Sequence, residues 1–438
     1  MIRISKCHKH PLQGAFFMYN YIIELGTLLT TLRPHQQRAY DKMNTAVCGQ
    51  VIVPTGGGKT YIMIQDCIRR LKTRHDDRVI VVVAPRILLA NQLSSEFTGL
   101  LDDSIHVLHV HSGETHFDST TSAEEIGEWV AGKTGNSIIF TTYHSLPRIV
   151  KSAIQIDTIY FDEAHNGCGK KFFEGIVDTA EYAKRRFYFT ATPRIGRGTS
   201  KERGMNNTTV WGEVLEQVEA RELINSGAIL PPKVTPFETD RTRDKINAHE
   251  VDASNLKDII KQFDTNAKVL VAAPSTRILW NMLTKTDILD WFKKQNYDVM
   301  HITSKHGAYV NGKKVGRESF FDTLTDWGNS NRRFVVFHYS ILSEGINVPG
   351  LTHTVLLRNL PIIEMAQTIG RVIRVHPEDR KDVEDGIIPA AQFTLYRKGY
   401  GSVTVPLTGK YGAKIAQRLE RVVTDIFVEG RPPTAYTS

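Results

Sequence analysis

Val51-Ile52-Val53-Pro54-Thr55-Gly56-Gly57-Gly58-Lys59-Thr60 joins a short apolar run to the helical pattern of Tyr61 to Leu71. A strand that runs into glycines and then opens a helix lets backbone N–H groups close around phosphate without interference from a Cβ. Pro54, Thr55, Gly56, Gly57, Gly58, Lys59 and Thr60 are therefore read as a phosphate-binding loop. Lys59 is expected to reach the β- and γ-phosphates, and Thr60 to place its hydroxyl on Mg²⁺. Such loops usually open with Gly or Ala, where this chain has Val53; three consecutive glycines supply the missing freedom.

Further along, Asp162-Glu163-Ala164-His165 follows the strand-like Thr158 to Phe161. A residue that ends a parallel strand emerges at the carboxyl edge of the sheet, where phosphate loops also lie. Asp162 is expected to hold Mg²⁺ through water. Glu163, one residue on, is placed to orient and deprotonate an attacking water. The two stretches together point to hydrolysis of a nucleoside triphosphate, with ATP and Mg²⁺ as the cofactors.

With 438 residues the chain can form two or three domains with sizeable cores. Its most apolar segment, Val79 to Ala90, contains Pro85 and Arg86 and falls short of the roughly 18 unbroken apolar residues of a membrane helix. Basic residues precede Ala15 to Leu29, but Asn20 and Glu24 interrupt that stretch and no clean cleavage site follows, so no signal peptide is expected. The four cysteines are scattered without a CxxC pair, which argues against both a disulfide framework and a zinc site and favours reducing, cytoplasmic surroundings. A net charge of +8 favours a polyanionic partner, and with no apolar stretch long enough to span, no membrane is expected.

Apolar runs alternate with helical patterns along most of the chain. Val51–Val53, Val79–Ala84, Ser137–Phe140, Thr158–Phe161 and Arg186–Phe189 form a first series. After a break at Leu230-Pro231-Pro232 and a polar stretch to about Lys261, a second series follows: Val269–Ala272, Val299–Ile302, Phe334–His338, Thr354–Leu357 and Gln392–Leu395. Such alternation predicts parallel sheets covered on both faces. The expected division is an extension over 1–30, a first α/β domain over 31–232 and a second over 233–438.

Beyond the two phosphate-site stretches, several others carry a resemblance. Leu32-Arg33-Pro34-His35-Gln36 precedes the loop; Ala84-Pro85-Arg86 and Thr141-Thr142-Tyr143 follow apolar runs; Thr190-Ala191-Thr192-Pro193 ends the first series. Ser343-Glu344-Gly345-Ile346-Asn347-Val348-Pro349 and Gln367-Thr368-Ile369-Gly370-Arg371-Val372-Ile373-Arg374 lie in the second. In this order the motifs resemble those of superfamily 2 helicases over about residues 32 to 374. The resemblance implies two tandem RecA-like domains with ATP in the cleft between them. It implies adenine recognition by Gln36 with Arg33, and nucleotide contacts by Gly345 and Asn347. Pro85, Arg86, Thr141, Thr142 and Tyr143 would line the nucleic-acid backbone path, while His165, Thr190 and Thr192 would couple hydrolysis to movement. Arg374 would be the main arginine finger, with Arg371 also on phosphate and Gln367 in the same motif.

His165 and Thr190 depart from the Asp and Ser of DEAD-box RNA helicases, and the combination is closer to DNA-directed members, above all phage branch-migration helicases of the UvsW type. No nuclease or methyltransferase stretch is visible, so a standalone, monomeric remodelling helicase acting on single-stranded, forked or branched DNA is expected. RNA stays open as the partner, as does a nucleotide-gated clamp without turnover. Two local features remain. Ala308 to Val315 reads as a hairpin because Asn311-Gly312 favours a type I′ turn; its Lys313 and Lys314 would hold DNA, or else it is a solvated excursion. Arg194 to Arg203, basic and glycine-rich, reads as a mobile DNA-binding loop or a flexible connector.

Overall fold

The alternation of apolar and helical segments becomes two parallel sheets in the computed structural model, which describes residues 32–72, 77–264, 266–339, 348, 350–431 and 433–437. The N-terminal extension and the expected nucleotide contacts Gly345 and Asn347 lie outside the described residues. The chain divides into two compact units. One takes the described residues up to Pro54, Gly58–Val218 and those from Thr434; the other takes Thr55–Gly57 and Glu219–Pro433.

In the first unit the strands are β1 (Cys48–Ile52), β2 (Val79–Ala84), β3 (His106–Val110), β4 (Asp118–Ser119), β5 (Ser137–Thr142), β6 (Ile156–Phe161), β7 (Ala183–Thr190), β8 (Arg194–Gly196) and β9 (Glu213–Gln217). Among the described residues, eight of them form one parallel sheet in the order β4-β3-β5-β2-β6-β7-β1-β9. β2, β5 and β6 are buried throughout, as a sheet covered by helices on both faces requires. Val81, Val83, Ile139, Ile159, Phe161 and Tyr188 share one core with Trp129, Ile149 and Trp211.

In the second unit the strands are β10 (Pro232–Glu238), β11 (Lys268–Ala272), β12 (Asp298–Thr303), β13 (Gly307–Val310), β14 (Lys313–Val315), β15 (Phe334–His338), β16 (His353–Leu356) and β17 (Gly401–Leu407), in the order β10-β17-β16-β11-β15-β12-β13-β14. The sheet is parallel except for the β12-β13-β14 meander. Asn311 and Gly312, at φ +47° and +78°, make the expected hairpin turn. The division at Val218/Glu219 precedes the compositional break at Pro232 for a physical reason. Val218 N–H still donates to Ile52, whereas Leu230 N–H donates to Ile373 and Ile229 bridges to Arg374.

Two expectations are corrected. Gln392–Leu395 is not a strand: Phe393–Leu395 is a 3₁₀ turn, Leu395 is exposed, and the sheet strand is β17 instead. The buried Asp379 carboxylate accepts from the backbone N–H groups of Arg397 and Lys398, which ties this stretch to the helix Pro377–Glu384 rather than to the sheet. Arg194–Arg203 takes up secondary structure where a loop or connector was expected. β8 pairs in parallel with β18 (Ala435–Thr437), Arg197 lies over the Tyr436 ring and donates to its hydroxyl at 2.7 Å, and Gly198–Arg203 is a 3₁₀ turn.

A buried ion pair ties the first unit together. Arg185 on β7 donates to both carboxylate oxygens of Asp66 at 2.9 and 3.2 Å, and to the Met43 carbonyl at 2.8 Å. Tyr160 donates to the same carboxylate at 2.6 Å. Both charges are buried and well satisfied. Asp66→Ala, which leaves Arg185 buried without its counter-charge, is expected to destabilise the unit by about 3–5 kcal/mol. The measurement is the midpoint of thermal unfolding, and an unchanged midpoint would refute the pair's structural role. Among the described residues no helix is long and apolar enough to cross a membrane.

Candidate nucleotide site

The carboxyl edge of the first sheet gathers the motif residues because parallel strands all end on the same side. Across the order β5-β2-β6-β7-β1, the strands lead into Tyr143, Pro85, Asp162, Ala191 and the loop at 54–60 respectively. The helix Lys59–Lys72 begins at the end of that loop, so the positive end of its dipole lies at the loop, where a phosphate would sit. Gly56 and Gly58 have φ of +89° and +81°. At Gly58 a Cβ would also lie 2.3 Å from Gln36 Nε2, so neither the backbone nor the space admits a side chain.

Gln36 is buried and engaged at both ends of its amide. Oε1 accepts from Arg33 N–H at 2.9 Å, closing a capping box on the helix Pro34–Thr45, and Nε2 donates to the Gly58 carbonyl at 3.3 Å. The segment before the loop is thus bonded to the loop.

Asp162 follows β6, its N–H bonded to the Val83 carbonyl at 2.8 Å. Glu163 then adopts φ +46° and ψ +51°, a left-handed conformation uncommon for a residue with a Cβ. This turn seats its carboxylate between Lys59 Nζ at 3.7 Å and His165 Nδ1 at 3.5 Å. His165 Nδ1 is also 2.9 Å from Thr190 Oγ1 and 3.2 Å from Thr192 Oγ1, and Thr192 N–H donates to Thr190 Oγ1 at 3.0 Å. Asn166, which the sequence did not single out, donates to the Glu163 carbonyl at 2.9 Å and approaches His165 Nε2 at 3.4 Å. Lys59, Glu163, His165, Thr190 and Thr192 therefore form one contact chain.

Burial holds the Asp162 carboxyl well above its ordinary value; the adjacent Glu163 charge adds to the rise and Lys59 opposes it. A divalent cation is the natural counterweight to such a group. The fit to Mg²⁺ rests on the donor set, a hard carboxylate oxygen from Asp162 and the Thr60 hydroxyl. Among the described residues no group of three or more His, Cys, Asp or Glu is gathered to hold a metal, and Mg²⁺ bound largely by phosphate and water oxygens needs none. Glu163 Oε2 is buried and makes no hydrogen bond among the described residues; its near neighbour is His165 Nδ1 at 3.5 Å.

The nucleic-acid candidates separate. Arg86 and Pro85 are partly exposed, and Arg86 precedes the helix Ile87–Thr98. Thr141 donates inward to the Val110 carbonyl, and Tyr143 is buried with its hydroxyl donating to the Asp162 carbonyl at 2.9 Å. Tyr143 therefore braces the strand end that carries Asp162 and presents no ring to a ligand. Lys313 and Lys314 are exposed on the hairpin.

In the second unit, the helix Ile362–Val372 carries Gln367 and Arg371 one turn apart, both buried. Arg374, in the same motif, is not on that helix. It lies beyond the helix in a bridge to Ile229, with its carbonyl accepting from Lys398 Nζ at 3.0 Å. Burial, with Arg374 beside it, pushes the Lys398 ammonium down to about 7. Lys398 and His338, the buried basic groups near these arginines, were not singled out in the sequence. His338 is buried at the carboxyl end of β15, where desolvation and the charges of Arg371 and Arg358 depress its basicity. Only its position at the end of an apolar run marks it in the sequence.

Residues 29–195 match the family model described as Type III restriction enzyme, res subunit. No curated protein matches the chain in sequence. Among solved structures, the ATP-dependent Type ISP restriction-modification enzyme LlaBIII bound to DNA is similar at a TM-score of 0.65 and 14% identity, covering 93% of this chain and 31% of that one. The chain thus spans less than a third of that enzyme's length. A fragment assigned as the HsdR subunit of a type I restriction enzyme from Vibrio vulnificus YJ016 is similar at 0.57 and 19%, covering 94% and 70%. The DEAD-box helicase Mss116 bound to ssRNA and UDP-BeF is similar at 0.60 and 15%, covering 93% and 75%. The fold is the tandem RecA-like fold of helicases.

Proposed function

We propose that this chain is an ATP-driven motor on nucleic acid, of the superfamily 2 helicase type, that remodels forked or branched DNA. One observation carries the reading: the contact chain that runs from Lys59 through Glu163 and His165 to Thr190 and Thr192. It joins the phosphate loop to a base and the base to the end of β7, as a hydrolysis site that must signal to moving parts requires.

Lys59 and the loop N–H groups would bind the phosphates of ATP, and Thr60 and Asp162 would hold Mg²⁺, which neutralises charge on the transferred phosphoryl group. Glu163 accepts a proton from the attacking water. His165 would sense whether Glu163 is protonated and pass the change to Thr190 and Thr192. Arg371 and Arg374 would supply the positive charge that the transition state needs, with the neutral amide of Gln367 as a hydrogen-bonding partner in the same motif. Affinity for a strand that differs between ATP-bound and ATP-free states turns hydrolysis into movement. Because backbone contacts dominate, binding is expected to show slight sequence preference and to weaken steeply with salt.

DNA is favoured by His165 and Thr190, and by the match to a restriction-enzyme model. The likeness to Mss116 supports RNA as the second reading. Strand-exchange assays on four-way junctions and forks, with a matched RNA fork alongside, test the choice. ATP-dependent conversion of the DNA junctions with Lys59→Ala inert supports the proposal; conversion confined to the RNA fork overturns the DNA assignment.

A further inference from the structure

We propose that the second unit carries a base-stacking platform for single-stranded DNA, formed by Trp280, His306 and Tyr309 beside the basic hairpin. This rests on the motor reading above and adds a contact that none of the helicase motifs contains.

Trp280 projects from the helix Thr276–Lys285, and its ring lies parallel to that of His306, centroids 4.0 Å apart and planes at 8°. Tyr309 closes the group, 6.0 Å from Trp280 and stacked on His301 at 4.6 Å. Sheet register explains the assembly. His301 pairs with Tyr309, and Tyr309 pairs with Lys314, so the three stand in a row on one face of the β12-β13-β14 meander. His301 is buried beneath, whereas Trp280, His306 and Tyr309 remain partly exposed. Trp280 and His306 stack, Tyr309 inclines to Trp280 at 59°, and all three rings of this ladder keep part of their surface open to solvent.

The surroundings fit a polyanion. Lys305, Lys313, Lys314 and Arg317 are exposed around the hairpin, and Arg277 is exposed one helical turn before Trp280. The stack also sits where β12 runs out at Thr303 into the loop before β13, at the carboxyl edge of the sheet, the side on which open α/β sheets bind ligands. Flat rings at that edge offer a π-face to any unpaired base, and the cations track the phosphates beside it. A duplex, whose bases are already stacked on each other, cannot use the rings. The occupant is therefore single-stranded nucleic acid.

The test is the affinity of full-length protein for fluorescent oligothymidine, measured by anisotropy, for wild type, Trp280→Leu and Trp280→Phe. Trp280→Leu is expected to lose roughly tenfold in affinity and Trp280→Phe to keep most of it; binding to duplex DNA should change little in either. Wild-type affinity in Trp280→Leu overturns the platform while leaving the motor reading intact. Failure of wild type to bind single strands while it binds forked or duplex DNA overturns the platform and leaves the motor reading; failure to bind any nucleic acid overturns both. Should Trp280→Leu not fold, photocrosslinking of halogenated oligouridine and oligodeoxyuridine to wild type decides. Adducts with the deoxy probe at Trp280, His306 or Tyr309 support the proposal; adducts elsewhere, or with the ribo probe alone, overturn it.

Discussion

Glu163→Gln is expected to slow steady-state ATP hydrolysis by about 10²–10⁴-fold while ATP still binds. The substitution keeps the shape of the side chain and removes its capacity to take a proton. The left-handed backbone at Glu163 and the Asn166 bond to its carbonyl do not depend on the carboxylate, so the turn should persist. Lys59 loses a negative neighbour at 3.7 Å, which leaves it at least as available to phosphate. Nucleotide titration with a fluorescent ATP analogue, run beside a turnover assay, separates binding from chemistry. Unchanged turnover would remove Glu163 from the role of base.

Arg374→Ala is expected to reduce turnover by roughly 10³–10⁵-fold, the range over which arginine fingers act in other phosphoryl-transfer enzymes. Its backbone is seated independently of its side chain, by the bridge to Ile229 and by Lys398 on its carbonyl, so truncation should leave the local fold in place. Nucleotide affinity is expected to fall little, because the finger acts on charge that develops in the transition state. Arg374→Lys should recover only part of the rate, since an ammonium lacks the planar fork of the guanidinium. A variant that hydrolyses ATP normally but binds DNA poorly would move Arg374 out of the hydrolytic site.

The central strands of both sheets were legible because each is a short, buried, apolar run, and β2 begins and ends where the run Val79–Ala84 does. The strands that were missed carry weaker signals. β9 reads Glu-Val-Leu-Glu-Gln and β10 holds Pro232 and Pro236, both compositions that edge positions tolerate. β17 was hidden behind Gln392–Leu395, whose apolar letters belong to a turn held by Asp379. The loop at 54–60 and the Asp162–His165 stretch stand out in sequence because their residues are contiguous, and the structure sets both at the carboxyl edge of the first sheet. What Tyr143 does was not, since only packing shows that its hydroxyl serves the Asp162 carbonyl. Arg374 shares a motif with Arg371 in sequence, yet the helix ends at Val372 and Arg374 sits in a bridge to Ile229. The Trp280 ladder draws on a helix, a strand, a loop and a hairpin, and no local pattern could have joined them.

The most direct test of the central claim is ATP hydrolysis measured against single-stranded, duplex, forked and four-way-junction DNA and single-stranded RNA, at two salt concentrations, with Lys59→Ala as the blank. Turnover is expected to depend on nucleic acid, to be highest on forks or junctions, to fall as salt rises and to vanish in Lys59→Ala. Turnover indifferent to every nucleic acid, or equal in Lys59→Ala, would contradict the claim.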